Sequence, residues 1–252
     1  MRNHFLRASG VPSSGGGGGS FITDDLTFHI DAGNTSSYSG SGSTVNSLVG
    51  SITNSGFNSN ITYSSDDGGS FVFSNNPSTG SGIEFPNGTY FDFGSGNSSL
   101  EFWFKHSGLG YKNFTGMSGY VNTFSAFINS YRTFHIGNQM PTPRDTSHNI
   151  PYSTWTHYVL SVDKESHATN TTVVLYLNGS TSYDDTYNGT ITYSSQSTLG
   201  FATSQKFYVG GTSTYAAYPF NGNISIVRLY KGKALTSSEV STNYSAESSR
   251  YT

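Results

Sequence analysis

The sequence lacks residues on which several protein classes depend. It contains no cysteine, which excludes disulfides and thiolate chemistry. Only 11% of its 252 residues are charged, and 12 lysines and arginines against 15 aspartates and glutamates leave no basic surface for a nucleic acid. No apolar run approaches the ~20 residues that a membrane-spanning helix needs. The protein is therefore predicted to bind no nucleic acid and to insert into no membrane.

Small polar residues and aromatic rings dominate instead. Glycine, serine, threonine and asparagine make up about half of the chain, a composition that by itself would suggest disorder. Aromatic residues nevertheless account for 15% of the sequence, and they gather with valine and isoleucine in short runs. This pattern is typical of β-strands joined by polar loops.

The first twenty residues differ from the rest. A short head has basic residues around an apolar pair: Arg2, Phe5, Leu6 and Arg7. Five consecutive glycines follow at residues 15–19, and such runs behave as flexible coil. Residues 1–20 are therefore predicted to be an anchor arm with a flexible linker, with an ordinary disordered terminus as the alternative. Residues 21–252 are predicted to form one domain.

Twelve short apolar or alternating runs are predicted to be β-strands. They cover residues 26–30, 61–63, 71–73, 82–85, 100–105, 123–128, 133–136, 155–162, 173–177, 190–193, 206–209 and 224–230. Three pairs supply the positive φ that tight hairpins need: Asn178-Gly179, Asn188-Gly189 and Asn221-Gly222. Short strands at this spacing predict a sandwich or a barrel.

One helix is predicted near the end of the chain. Thr236 and Glu239 have the spacing of a capping box, in which each side chain satisfies a free backbone N–H group. Leu235 and Val240 have the spacing of a hydrophobic staple, and Tyr244 lies one turn further on the same face. The chain is therefore expected to end in a short helix packed against the sheets.

Five phrases in the second half occur in a recognisable order, at residues 155–162, 174–179, 207–211, 220–230 and 234–239. They resemble the laminin-G-like branch of the concanavalin A-like lectin/glucanase superfamily. The phrase at 26–34 is similar to the opening of versions found in tailed-phage proteins. The resemblance implies an all-β, antiparallel jelly-roll sandwich with one short C-terminal helix.

The same phrases predict which residues form the core. Trp155 is expected to fill one sheet face together with the alternating Tyr158, Leu160 and Val162. Four residues near the end of the chain are expected to cover the same core: Phe220, Ile224, Ile226 and Leu229.

Catalytic motifs are absent. Glucanases of this superfamily carry two carboxylates on one strand, as general acid and nucleophile. The strand at residues 100–105 has one acid, Glu101, which is expected in a solvated outward position. No Gly-x-Ser-x-Gly elbow occurs, and the seven histidines are isolated; His157 is expected to pack or to pair across strands. The protein is therefore predicted not to be an enzyme.

The sequence contains candidate residues for binding two ligands, calcium and a glycan. Calcium prefers carboxylate and carbonyl oxygens, and Asp184 and Asp185 are its candidate ligands, with Asp66-Asp67 and Asp24-Asp25 as further acidic pairs. Solvated turns are the alternative for all three pairs. A sugar needs aromatic faces beside polar groups. The candidate sugar-binding residues are Tyr183, Asp184, Asp185, Tyr187, Asn188, Tyr215 and Tyr218.

The leading hypothesis is a non-enzymatic protein of a tailed-phage virion. Its arm would dock on other virion proteins, and its lectin-like domain would be displayed on the particle surface as a capsid decoration or fibre head. Adhesion to host-surface polysaccharide is an additional expected role, and a symmetric particle favours a homo-oligomer. A dedicated carbohydrate-binding adhesin is the alternative, and a glycoside hydrolase is the third hypothesis.

Overall fold

The strands assemble into two antiparallel sheets in the computed structural model. The structure describes residues 20–58, 61–74, 82–88, 96–107, 112–117, 125–128, 134–136, 150–163, 170–180, 190–194, 206–211 and 220–252. The head formed by Arg2, Phe5, Leu6 and Arg7 lies outside these residues. Packed face to face, the two sheets form the predicted sandwich.

The larger sheet has eight strands: β1 (Leu26–Asp31), β3 (Ile61–Ser64), β4 (Ser70–Phe73), β6 (Ser98–His106), β10 (Thr156–Asp163), β11 (Asn170–Leu177), β12 (Thr190–Ser194) and β14 (Gly222–Lys231). The smaller sheet has six: β2 (Gly56–Asn58), β5 (Gly82–Phe85), β7 (Lys112–Met117), β8 (Ser125–Ile128), β9 (Phe134–Ile136) and β13 (Phe207–Val209). All twelve predicted strands are present. β2 and β7 were not predicted, because their glycines, asparagines and lysine break the apolar alternation.

In the described part of the larger sheet, β14 pairs with three other strands. It pairs with β6 along its whole length, and on its other side with β4 and then with β1. A register shift between Ile224 and Ile226 reverses the alternation, so that Ile224 and Leu229 lie in the core while Ile226 pairs with Trp103 and Asp31 outside it. The prediction that Ile226 covers the core is therefore wrong, since a bulge moves later residues to the opposite face.

Aromatic rings from both sheets fill the core. The ring centroid of Phe28 in β1 lies 4.9 Å from that of Phe85 and 5.6 Å from that of Phe207, both in the smaller sheet. Tyr158, Leu160 and Val162 lie in this core as predicted. Trp155 does not join them, because it directly precedes β10 with the opposite parity, and its ring contacts Tyr251 and Asp67 on the outer side of the larger sheet.

The two described Asn-Gly pairs have different roles. Asn178 and Gly179, with φ values of 50° and 77°, form a two-residue turn that brings Ser180 back to Leu177, as predicted. The hairpin predicted at Asn221-Gly222 is wrong. Gly222 instead begins β14, where a Cβ atom would lie 2.1 Å from the Lys105 carbonyl oxygen. The Asn188-Gly189 pair lies outside the described residues.

The predicted helix is α1 (Ser237–Glu247), which a 3₁₀ turn (Ser248–Tyr251) extends. The Thr236 N–H donates to the Glu239 carboxylate at 2.9 Å, and the Glu239 N–H donates to the Thr236 hydroxyl at 3.4 Å, which confirms the capping box. Leu235 and Val240 are buried in a second apolar cluster with Val159 of β10. α1 therefore covers the outer face of the larger sheet. No helix in the described part of the chain has the length and apolar character that a membrane crossing requires.

Candidate functional site

Charged and aromatic side chains share the outer face of the larger sheet, beneath α1. Alternation along β6 directs Glu101, Trp103 and Lys105 to this face, opposite the core residues Phe102 and Phe104. Neighbouring strands add partners through their register, since Glu101 lies opposite Arg228 of β14 and Trp103 lies opposite His157 of β10. Strand pairing thus gathers residues that are far apart in the sequence.

Glu101 is fully buried at the centre of a polar network. Its Oε1 accepts hydrogen bonds from Arg228 at 2.9 Å and from His157 Nε2 at 3.0 Å. Its Oε2 accepts one from Asn243 at 2.8 Å and lies 3.1 Å from the Tyr230 hydroxyl. Burial alone would raise the pKa of Glu101, but the charge of Arg228 and the hydrogen bonds from His157 and Asn243 outweigh it and lower the pKa to about 2. The expectation of a solvated Glu101 is wrong, because α1 covers this face; the cross-strand role expected of His157 is confirmed.

Arg228 extends the network to the N-terminal side of the domain. It donates to Glu247 of α1 at 2.6 Å and to His29 Nε2 of β1 at 3.3 Å, and its guanidinium carbon lies 3.8 Å from the centroid of the Phe21 ring. Since His29 accepts this bond, its ring is neutral. Burial lowers the pKa of His29 well below its ordinary value, and the charge of Arg228 lowers it further.

Arg250 fastens the C-terminal 3₁₀ turn to the sheet. Its two terminal nitrogens each donate to one carboxylate oxygen of Asp31 at 2.9 Å, a bidentate pair that fixes the guanidinium plane. They also reach Glu247 at 3.2 Å and the Gly68 carbonyl oxygen at 2.9 Å. Gly33 is required here, because a Cβ atom at this position would lie 1.7 Å from the same carbonyl oxygen.

Beside this network, four aromatic rings form a row that reaches the end of the sheet. The ring centroid of Tyr251 lies 4.2 Å from that of buried Trp103 and 4.6 Å from that of Trp155. Tyr244 of α1 stacks on Trp103 with a centroid distance of 5.6 Å. Trp155, Tyr244 and Tyr251 are partly exposed, so the row begins beneath α1 and ends in contact with solvent at Trp155.

A charged pair lies against the exposed end of the row. The carboxylate of Asp67 accepts hydrogen bonds from Trp155 Nε1 at 2.7 Å and from Lys105 at 2.9 Å, and the Lys105 ammonium lies 5.0 Å from the Trp155 ring centroid. We refer to Asp67, Lys105, Trp155 and Tyr251 as the aromatic corner. The side chains of Asp67 and Lys105 are 31% and 27% exposed, so a ligand can reach them, whereas Glu101 is inaccessible.

The aromatic corner combines the features of a sugar-binding surface. The hydrogen bonds from Trp155 and then Lys105 lower the pKa of Asp67, so its carboxylate is ionised at neutral pH and accepts hydrogen bonds. A partly exposed indole beside a carboxylate and an ammonium can contact both the apolar face and the hydroxyls of a sugar ring.

The sequence did not identify this site. All seven predicted sugar-binding residues, which include the calcium candidates Asp184 and Asp185, lie outside the described residues. Of the other acidic pairs, Asp67 binds Lys105 and Trp155, and the described part of the chain holds no group of three or more potential metal ligands. Trp155 belongs to a recognisable phrase, but its partner Asp67 lies 88 residues away in the chain, so no local motif connects them.

Acidic side chains on both sheets, on α1 and in the turn before β4 form salt bridges. Salt bridges join a lysine or an arginine to Asp31, Asp67, Glu84, Glu101, Glu239 and Glu247.

A family model and several solved structures are similar to the chain. The model of the concanavalin A-like lectin/glucanases superfamily matches residues 74–241. No curated protein matches the chain in sequence. The sialidase of Trypanosoma rangeli is 16% identical with a TM-score of 0.61; the match covers 98% of this chain but only 36% of the sialidase. The chain therefore spans about a third of that enzyme.

Two further solved structures are separate domains. Domain 4 of AbnA, an extracellular arabinanase from Geobacillus stearothermophilus solved with arabinotriose, is 21% identical with a TM-score of 0.54; the match covers 87% of this chain and 98% of that domain. The binding domain of botulinum neurotoxin serotype D/C is 13% identical with a TM-score of 0.61, over 87% of this chain and 51% of that one. At these identities the likeness shows a common fold.

Proposed function

Because the chain belongs to the concanavalin A-like lectin/glucanase superfamily, we propose that it is a non-catalytic protein that binds a carbohydrate. The aromatic corner is the observation that carries the proposal. A pyranose stacks its apolar face on an aromatic ring and directs its hydroxyls to charged and amide groups. Trp155 supplies the ring, and Asp67 and Lys105 supply the polar partners. The arabinanase domain solved with arabinotriose, which resembles the chain over nearly its whole length, supports the proposal.

The non-catalytic part of the proposal rests on the state of the acids. A glycosidase needs one carboxyl group that holds a proton near neutral pH and a second that faces the same sugar bond. Glu101, on the strand where the resemblance to glucanases places the catalytic pair, is buried beneath α1 and has a pKa lowered to about 2. It is therefore neither accessible to a substrate nor protonated.

The test is binding to a glycan array by wild-type protein and by Trp155→Ala. We expect at least a tenfold loss of affinity, about 1.4 kcal/mol, because the substitution removes the exposed ring and the Nε1–H that holds Asp67. Trp155→Phe keeps a ring and should retain part of the affinity. Lys206→Ala, on the smaller sheet with a 51% exposed side chain, is the control and should bind normally. Equal binding by Trp155→Ala and wild type would show that the aromatic corner is not the sugar-binding site.

The proposal extends to display on the surface of a tailed-phage virion, with residues 1–20 attached to other virion proteins and the chain present as a homo-oligomer. An arm can hold a domain only if the junction is firm. The Ile22 N–H donates to Asn243 of α1 at 2.8 Å, and the Ile22 carbonyl oxygen lies 3.1 Å from the Tyr230 hydroxyl. A chain without residues 1–20 should fold but should no longer sediment with virions. If this truncated chain still sediments with virions, residues 1–20 are not the anchor.

Calcium at Asp184 and Asp185 stays a prediction, as do the sugar-binding roles of the tyrosines around them. Loss of array binding in EDTA with recovery in calcium would support the metal. If binding is unchanged in EDTA, the sugar is bound without calcium.

A further inference from the structure

The aromatic corner offers little positive charge to a ligand. Asp66 and Asp67 each carry one negative charge, and Lys105 carries one positive charge that Asp67 already binds at 2.9 Å. The net charge of these three side chains is therefore −1. Arg250 is a neighbouring guanidinium, and both of its terminal nitrogens already donate to Asp31, Glu247 and the Gly68 carbonyl oxygen. Within the described residues, an acidic ligand at the aromatic corner would thus meet the Asp67 carboxylate and an ammonium that is already paired with it, with the exposed Asp66 next to Asp67 in the same turn.

As far as the described residues show, one acceptor at the aromatic corner is open to a hydroxyl donor. Both hydrogen bonds that described residues donate to Asp67 fall on Oδ2, from Trp155 and from Lys105. Its Oδ1 accepts none from the described part of the chain. Because hydrogen bonds to an ionised carboxylate are the stronger ones, a neutral hydroxyl is a favourable partner for Oδ1. The carboxylate of a second acid is an unfavourable one.

We infer that the aromatic corner selects uncharged, hydroxyl-rich sugars and rejects sugars that carry a carboxylate, such as sialic and uronic acids. The inference rests on the proposed function and adds the class of ligand. A sugar hydroxyl donates to Asp67 Oδ1 while the apolar face of the ring lies against Trp155. The unfavourable charge of Asp66 and Asp67 supplies the discrimination, so the selectivity weakens as salt screens these exposed groups.

The test compares matched pairs of glycans on one array: lactose with 3′-sialyllactose, and neutral galactose oligomers with galacturonic acid oligomers. Wild type should bind neutral members at least fivefold more tightly in 20 mM NaCl, with a smaller ratio in 500 mM NaCl. Asp67→Asn should bind acidic members at least fivefold more tightly than wild type, because it frees Lys105 and removes one negative charge. Asparagine tolerates the φ of 53° at this position and keeps an acceptor for Trp155.

Glu84→Gln is the matched control. Glu84 binds Lys206 at 2.6 Å on the smaller sheet, so the variant makes the same charge change away from the aromatic corner and should keep wild-type selectivity. Equal or tighter binding of acidic glycans by wild type would overturn the inference, as would an Asp67→Asn variant that gains no acidic binding. In either case a loss of binding in Trp155→Ala would leave the proposed function standing. An array on which wild type binds no glycan would overturn both.

Discussion

At the scale of residues, the buried network separates groups that hold the fold from groups that can meet a ligand. Glu101 and Arg228 are both inaccessible and 2.9 Å apart, and His157 and Asn243 each donate a further hydrogen bond to Glu101. Lys105 and Asp67 form a pair of equal length at the surface. The two pairs differ in their environment, because leaving a buried charge without a partner destabilises a protein far more than leaving an exposed charge without one.

Arg228→Met should destabilise the domain by about 3–5 kcal/mol, because it leaves Glu101 and Glu247 buried without their shared guanidinium. Urea unfolding followed by circular dichroism measures the change. Lys105→Met, the surface control, should cost about 1 kcal/mol or less. Similar losses in the two variants would mean that the buried network contributes no more than a surface pair.

Sequence alternation assigned Glu101 to the outer face of its strand but not to the interior. Glu101 does face outward, as predicted, yet α1 buries that face at Glu101 and Trp103. An alternating pattern reports which side of a sheet a residue occupies, and it contains no information about what covers that side.

At the scale of elements, α1 and the C-terminal 3₁₀ turn join the buried network to the aromatic corner. The helix supplies Asn243, Tyr244 and Glu247, and the turn supplies Arg250 and Tyr251. Tyr251 lies between the rings of the two tryptophans and donates to the Ser225 hydroxyl at the β14 bulge at 2.9 Å. The position of Trp155 therefore depends on how firmly the turn is held.

Arg250→Ala should loosen the C-terminal turn and expose both tryptophans, because it removes the bonds to Asp31, Glu247 and Gly68. We expect increased acrylamide quenching of tryptophan fluorescence and a severalfold loss of glycan affinity, with α1 retained by circular dichroism. Arg250→Lys keeps one charge but not the bidentate geometry, and should give an intermediate result. Unchanged quenching in Arg250→Ala would show that the turn stays docked without this residue.

At the scale of the whole molecule, the buried network makes the fold sensitive to acid. Burial lowers the pKa of His29, so below about pH 6.5 this side chain binds a proton in the unfolded chain but not in the folded one. The pKa of Glu101 is lowered from 4.5 to about 2, so it too takes up a proton more readily in the unfolded chain. Both groups make stability fall as pH falls, first through the histidine range and then between pH 4.5 and 2.

The melting temperature should therefore be highest near neutral pH and fall progressively from pH 7 to pH 3. His29→Gln keeps an acceptor for Arg228 and cannot take up the proton, so its melting temperature should fall less steeply between pH 6.5 and 5. Glu84→Gln, which alters an acid outside the buried network, should follow the wild-type curve. Parallel curves for wild type and His29→Gln would rule out His29 as a source of the acid sensitivity.

Local patterns in the sequence were enough to predict the class of the fold, the twelve apolar strands, the Asn178-Gly179 turn and the capped helix, because each depends on residues that are close together in the chain. Which side chains come into contact on the outer face of the larger sheet is visible only in the folded chain. Asp67, Lys105, Trp155 and Tyr251 come from four separate segments, and Glu101 finds its partners on two other strands and a helix. These contacts depend on the strand register, on the bulge in β14 and on the element that covers the sheet. A local sequence pattern gives no information about any of the three.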